Sequence, residues 1–249
     1  PVLWMEQTEG TDEWYVGMHY GGGPYEIYEA EDMISMGLGF SGNQIYFIHY
    51  PDGEVYAPLK KKENVYYERP VWDEDRFGIA AVDFGKREVI IYSFMPGKEV
   101  QILHKIPLTD IHDCYNLRIE ASPLTLSRQK DQVYEILWPE KKRFAVKEND
   151  SMIYRDGNTL YFSRWAETPE YLEYVVAVNV ETGEEISVEK GNLYRMPDGS
   201  LRLHWLTTAE DGRSPGWRRE IPPLPITVSA RIWEAPLWSC SWSIWKADR

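Results

Sequence analysis

The chain has 249 residues, 43% hydrophobic and 14% aromatic, with 11 Trp and 17 Tyr, which excludes an intrinsically disordered chain because disorder lacks the apolar surface to offset ordering entropy. Lys plus Arg number 27 against 40 Asp plus Glu, a formal net charge of −13, which argues against nucleic acid because phosphate binding draws on basic surface. With no apolar run near about eighteen residues and no basic-then-apolar leader, neither membrane insertion nor secretion is expected, and a cytoplasmic location is the default.

The N-terminal third opens with "HYGGGPY" (19–25), glycine-rich but without the Lys-Ser/Thr and following helix of a phosphate cradle, and so read as a flexible turn. "EAEDMISMGLGF" (29–40) is the nearest approach to a helical period, which Gly37 and Gly39 weaken; no convincing helix is expected. From there hairpin signals recur. "QIYFIHY" (44–50) meets "EVYAP" (54–58) across "PDG", and "FGIAAVDF" (77–84), "EVIIYSF" (88–94) and "EVQILHKI" (99–106) follow one another across turns rich in Gly. "MIYRDGNTLYFSRW" (152–165), "VVAVNVETGEEISVE" (175–189) and "LYRMPDGSLRLHW" (193–205) repeat the pattern. In each, Gly or Asp-Gly supplies the positive φ between β-branched and aromatic strands.

Successive hairpins without crossover helices predict an antiparallel meander. The runs "VIIY" and "YVVAV" are apolar at consecutive positions, as expected of strands covered on both faces. Sheets packed between sheets are the blades of a β-propeller. About twenty strands, divided into four-stranded blades, predict one five-bladed domain over 1–249; six blades and a duplicated lipocalin-like β-barrel are the alternatives. Acidic positions Asp32, Asp73, Asp110, Asp150 and Glu189 recur near the blade period, and are read as linkers leading into each blade.

The stretch 156–185, with its "DG" turn, "LYF" strand and apolar strand running into "ETGE", resembles a blade of the WD-repeat and Tol-type bacterial β-propellers. The resemblance implies architecture. Without a "GH" or "WD" dipeptide at blade positions, it transfers no functional residues.

At the C-terminus "PLWSCSWSIW" (236–245), written as a strand, places Trp238, Cys240, Trp242 and Ile244 on one face and Ser239, Ser241, Ser243 and Trp245 on the other. That asymmetry suits a terminal strand that closes the ring. "RSPGWRR" (213–219), with Arg213, Arg218 and Arg219, reads as a solvated loop.

Chemistry-bearing residues are few. Cys114 and Cys240 are expected to be buried as small hydrophobes, and the five His, at 19, 49, 104, 112 and 204, lack metal-site spacing, so no metal or cofactor is expected. The acidic loops "VWDEDRF" (71–77) and "LTDIHDC" (108–114) are the candidates. If both open on one mouth of the channel, Asp73, Glu74, Asp75, Asp110 and Asp113 gather there with His112, and Trp72 offers a stacking platform for a sugar. Paired carboxylates about 5 to 9.5 Å apart are what glycoside hydrolysis needs. The favoured expectation is a non-catalytic scaffold for a protein or small-molecule ligand, with a carbohydrate-active propeller, glycosidase or lectin, as the alternative.

Overall fold

The computed structural model describes residues 4–167, 169–205 and 216–218. Strands fall into separate antiparallel sheets in chain order. The first holds β1 (Trp4–Gln7), β2 (Trp14–His19), β3 (Gln44–His49) and β4 (Val55–Tyr56). The second holds β5 (Val65–Tyr67), β6 (Val71–Asp73), β7 (Arg76–Asp83), β8 (Glu88–Phe94) and β9 (Gln101–Pro107), with β5 and β6 pairing successive stretches of β7. The third is β10 (Arg118–Glu120), β11 (Thr125–Lys130), β12 (Val133–Trp138) and β13 (Lys142–Ala145). The fourth is β14 (Asp150–Asp156), β15 (Thr159–Glu167), β16 (Tyr171–Asn179) and β17 (Glu185–Lys190). A three-stranded sheet of β18 (Asn192–Arg195), β19 (Leu201–Trp205) and β20 (Gly216–Arg218) follows.

Each meander runs outward from its first strand, and successive sheets pack face to face. Phe77, Ile79 and Ala81 of β7 pack on Trp14, Val16, Ile45 and Phe47 of the first sheet. Their alternates Ala80 and Val82 pack on Ile119, Leu124 and Leu126 of the third. In the fourth sheet Leu160, Phe162, Val176 and Val178 meet Tyr134 and Ile136 of the third, while Tyr161, Val175 and Ala177 meet Leu193, Leu201 and Leu203 of the last. Strand side chains alternate, so a sheet sandwiched between two neighbours must be apolar at every position. This is why the consecutive apolar runs exist, and the arrangement is propeller-like. Among the described residues no sheet closes on itself as a barrel would.

Three expectations fail here. A helix, α1 (Ile27–Ser35), does form between β2 and β3. The glycines held against it lie beyond its end: Gly37, at φ 74°, donates to Ile34 O, and Leu38 donates to Met33 O. That paired arrangement caps the last carbonyls and calls for a residue with positive φ. Glu29 secures the other end by accepting from the backbone N–H groups of Tyr25 (2.8 Å) and Glu26 (3.3 Å). Ile27 and Ala30 anchor the helix on the core between the second and third sheets.

The acidic spacing, too, was not a blade period. Asp32 lies in α1, Asp73 ends β6, Asp110 sits in a short 3-10 turn, Asp150 begins β14 and Glu189 lies within β17, five inequivalent positions. In "RSPGWRR", residues 216–218 pair with β19 as a strand and are not loop. The stretch 236–245, read as a closing strand, lies outside the described residues, as does Cys240. No helix among the described residues is long and apolar enough to cross a membrane.

Candidate axial binding site

The first strand of a sheet has its side chains converging on the axis, so it has little room and must satisfy whatever polar groups it carries. Those strands are charged, and all but β14 have three or four residues. Glu6 and Gln7 come from β1, Arg69 to Trp72 from the β5–β6 segment, Arg118 to Ala121 from β10, Ile153 and Tyr154 from β14, and Arg195 from β18, and all line one cavity of about 370 Å³. Every sheet among the described residues contributes.

The charges in it are held by specific partners. Arg69 grips Glu6 through both terminal nitrogens, the Nη2–Oε1 contact being 3.2 Å. Glu120 is buried; its Oε1 accepts from Arg118 Nε (3.0 Å) and Ser127 Oγ (2.8 Å), and its Oε2 from Tyr134 O–H (3.0 Å). These hydrogen bonds and the guanidinium replace the water that the buried carboxyl has lost. Arg118 also donates to Met152 O, tying the third sheet to the fourth. Tyr154 O–H donates to Glu9 (3.0 Å), reaching from the fourth sheet to the first; burial, then the Glu9 carboxylate, pushes this phenol up to about 12.

Arg195 is differently placed. Its Nη2 donates to Ala121 O and Arg155 O, each at 2.9 Å, and its guanidinium lies 5.4 Å over the Tyr154 ring. Among the described residues its Nε is buried without a partner. A second cavity of about 310 Å³ shares Trp72 and Arg195 with the first and adds Glu74, Asp156 and Asp198. Asp156 ends β14, and Glu74 and Asp198 lie in the turns just after β6 and β18, so this cavity is one mouth of the axis.

The candidates from sequence divide between two ends. Trp72 lines both cavities; its ring also stacks on Trp14 (6.4 Å) and meets Phe77 edge-on (4.9 Å). Asp73 is buried, 3.6 Å from Arg76, and Glu74 reaches the mouth. Asp75 and Asp110 are exposed. Asp113 belongs elsewhere: Arg128 (3.0 Å) and Lys130 (2.7 Å) hold it at the far end of β11, whereas Glu74 shares its cavity with Ser122, which lies before that strand. Asp110, His112 and Asp113 precede the first strand of their sheet, while Asp73 ends β6 and Glu74 and Asp75 follow it, so the single mouth expected for all six does not form.

Elsewhere, Cys114 is buried and its thiol is pushed up by burial and then by Glu31. His49 pairs with Asp52 (2.8 Å) and His104 stacks on Trp138 (6.2 Å), both structural roles. Glu68, between β5 and β6, went unnoticed in the sequence. Burial raises its carboxyl to about 7, with Glu26 adding to the effect and the Arg69 backbone N–H and Arg118 opposing it.

No protein-family model matches the chain, and no curated protein does. Among solved structures there is a match to "Crystal structure of Porphyromonas gingivalis dipeptidyl peptidase 4", at 10% identity and a TM-score of 0.39, covering 82% of this chain and 34% of that one. This chain thus spans about a third of that protein's length.

Proposed function

We propose that the chain is a five-bladed propeller that binds a small polar molecule at its axis and does not transform it. The observation that carries this reading is the convergence of the first strand of every sheet on one cavity. A concave site with convergent polar groups and an aromatic wall is the usual form of a small-molecule pocket, and about 370 Å³ falls within the ordinary range. The binding role is supported by engagement: Glu6 and Glu120, two carboxylates of the lining, are each already held by an arginine. A lectin-like variant of the same reading places a sugar ring against Trp72, the aromatic residue common to both cavities.

The test is a thermal-shift panel of neutral sugars, amino acids, nucleotides and organic acids on the wild type and on Glu9→Trp. Glu9 is exposed and lines the cavity, so an indole there plugs it without emptying a core. The proposal expects at least one stabilising ligand whose effect vanishes in Glu9→Trp. A ligand that stabilises both proteins equally binds elsewhere and overturns it.

A further inference from the structure

Arg195 is the group at the axis whose hydrogen-bonding capacity is least used. Two backbone carbonyls occupy its Nη2, while among the described residues no carboxylate forms an ion pair with it and its Nε has no partner. Lining the same cavity, Thr8 is only 7% exposed, and its Oγ1 likewise lacks a partner among the described residues. Buried polar atoms are nearly always satisfied, and a cationic side chain whose Nε is buried and unpartnered among the described residues favours an anionic acceptor. With both Nη2 hydrogens engaged, Nε and Nη1 remain as donors, and a charge-assisted bond from either to a carboxylate is about twice as strong as a neutral one. Gly10, at φ +83°, leaves this approach open: a Cβ there would stand 3.4 Å from Arg195 Cδ.

Outside Arg195 the potential reverses. Glu74, Asp156 and Asp198 line the mouth, and hydrogen bonds from the Ser200 side chain and backbone N–H hold the Asp198 carboxyl below its ordinary range, so it stays ionised. A cleft lined by one sign of charge concentrates the opposite sign. A dianion satisfies Arg195 and is repelled by the rim; a diamine suits the rim and is repelled by Arg195. A molecule with one charge of each sign satisfies both.

We infer that the axial ligand is a small zwitterion, its carboxylate on Arg195 and its ammonium group among Glu74, Asp156 and Asp198. This rests on the reading of the cavity as a binding site and adds the class of molecule it takes.

The experiment is isothermal titration of the full chain with ε-aminocaproate as the probe, beside glutarate, cadaverine and glucose. The zwitterion is expected to bind at least about tenfold more tightly than the other three, and Arg195→Gln to weaken it by at least about tenfold. The exposed pair Glu74→Gln with Asp156→Asn is expected to weaken it several-fold and to flatten its salt dependence; should Arg195→Gln not fold, this pair decides. Glutarate or cadaverine binding as tightly as ε-aminocaproate, or variants that bind it unchanged, overturns the assignment. Glucose binding that Glu9→Trp abolishes overturns the zwitterion while leaving the axial site standing. If all four probes fail and no ligand of the wider panel is blocked by Glu9→Trp, both readings fall.

Discussion

Gly78 is where the packing of the second sheet on the third can be tested by adding one atom. It lies in β7 opposite Val71 and Ser93, on the face that meets the third sheet. A Cβ built there would stand 2.2 Å from Leu124 Cδ2 and 3.2 Å from its Cδ1, whereas carbons in contact settle about 3.5 to 4.0 Å apart. Leu124 is 4% exposed, so its tip has little room to retreat. Overpacking of this kind costs roughly 1 to 3 kcal/mol. Against it stands the gain of about 0.4 to 1 kcal/mol from stiffening the unfolded chain when glycine becomes alanine. The difference spans about 0 to 2.6 kcal/mol, and the 2.2 Å approach places Gly78→Ala in its upper half, a loss of about 1.5 to 2.5 kcal/mol or roughly 3 to 10 °C in melting temperature for a chain of this size.

Urea unfolding of Gly78→Ala, Leu124→Ala and the double variant measures the coupling directly. Leu124→Ala alone is expected to cost about 2 to 5 kcal/mol. The double variant should cost less than the sum by about 0.5 kcal/mol or more, because the new methyl group fills part of the space vacated. A Gly78→Ala protein as stable as the wild type, with strictly additive effects, would refute the face-to-face packing of these two sheets.

Three further outcomes are expected. Glu68 is raised in the folded state from an ordinary 4.5 to about 7, so it favours folding fully below about pH 4.5, and that contribution fades as pH rises through 7; the shift corresponds to at most about 3 kcal/mol. Glu68→Gln should flatten this part of the stability profile between pH 4.5 and 8, and an unchanged slope in chemical denaturation would count against the burial of that carboxyl. Asp150 and Arg164 form a largely buried ion pair, with side chains 5% and 14% exposed; Asp150→Asn should cost about 1 to 3 kcal/mol by calorimetry, because it removes one of the two carboxylates on the guanidinium and leaves only Glu185 (2.6 Å). Asp75→Asn and Asp110→Asn, at exposed positions, should each move stability by no more than about 0.5 kcal/mol and leave ligand affinity at the axis unchanged.

The elements legible in the sequence were those written in side-chain alternation. Pairs such as β7 with β8, and β14 with β15, emerge from apolar runs punctuated by Gly or Asp-Gly, and the doubly covered sheets follow from runs with no polar face. The helix α1 was missed because Gly37 reads as a breaker within a period, although it is the cap just past the end. The acidic loops were mis-phased because a short innermost strand looks like a linker: in "YYERPVWDED" the axis-facing residues are Arg69 to Trp72, interrupted by a proline and flanked by charge. Arg118 and Arg195 sit in similarly short segments, "LRIEA" and "LYRMP". A charged residue inside a three- or four-residue strand at the start of a meander was the available signal. What it pairs with depends on contacts between distant sheets, which local patterning does not encode.

The account turns on whether a ligand enters the axis, and methyl NMR reads this directly. With isoleucine and valine methyl groups labelled, Val16, Val71, Ile119 and Ile153 line the cavity, Ile90 and Val176 lie in the cores between sheets, and Ile186 and Val188 are exposed on β17. Titration with a stabilising ligand should shift the first four and leave the rest nearly in place. Shifts confined to Ile186 and Val188, with the cavity methyls unmoved at saturation, would contradict it.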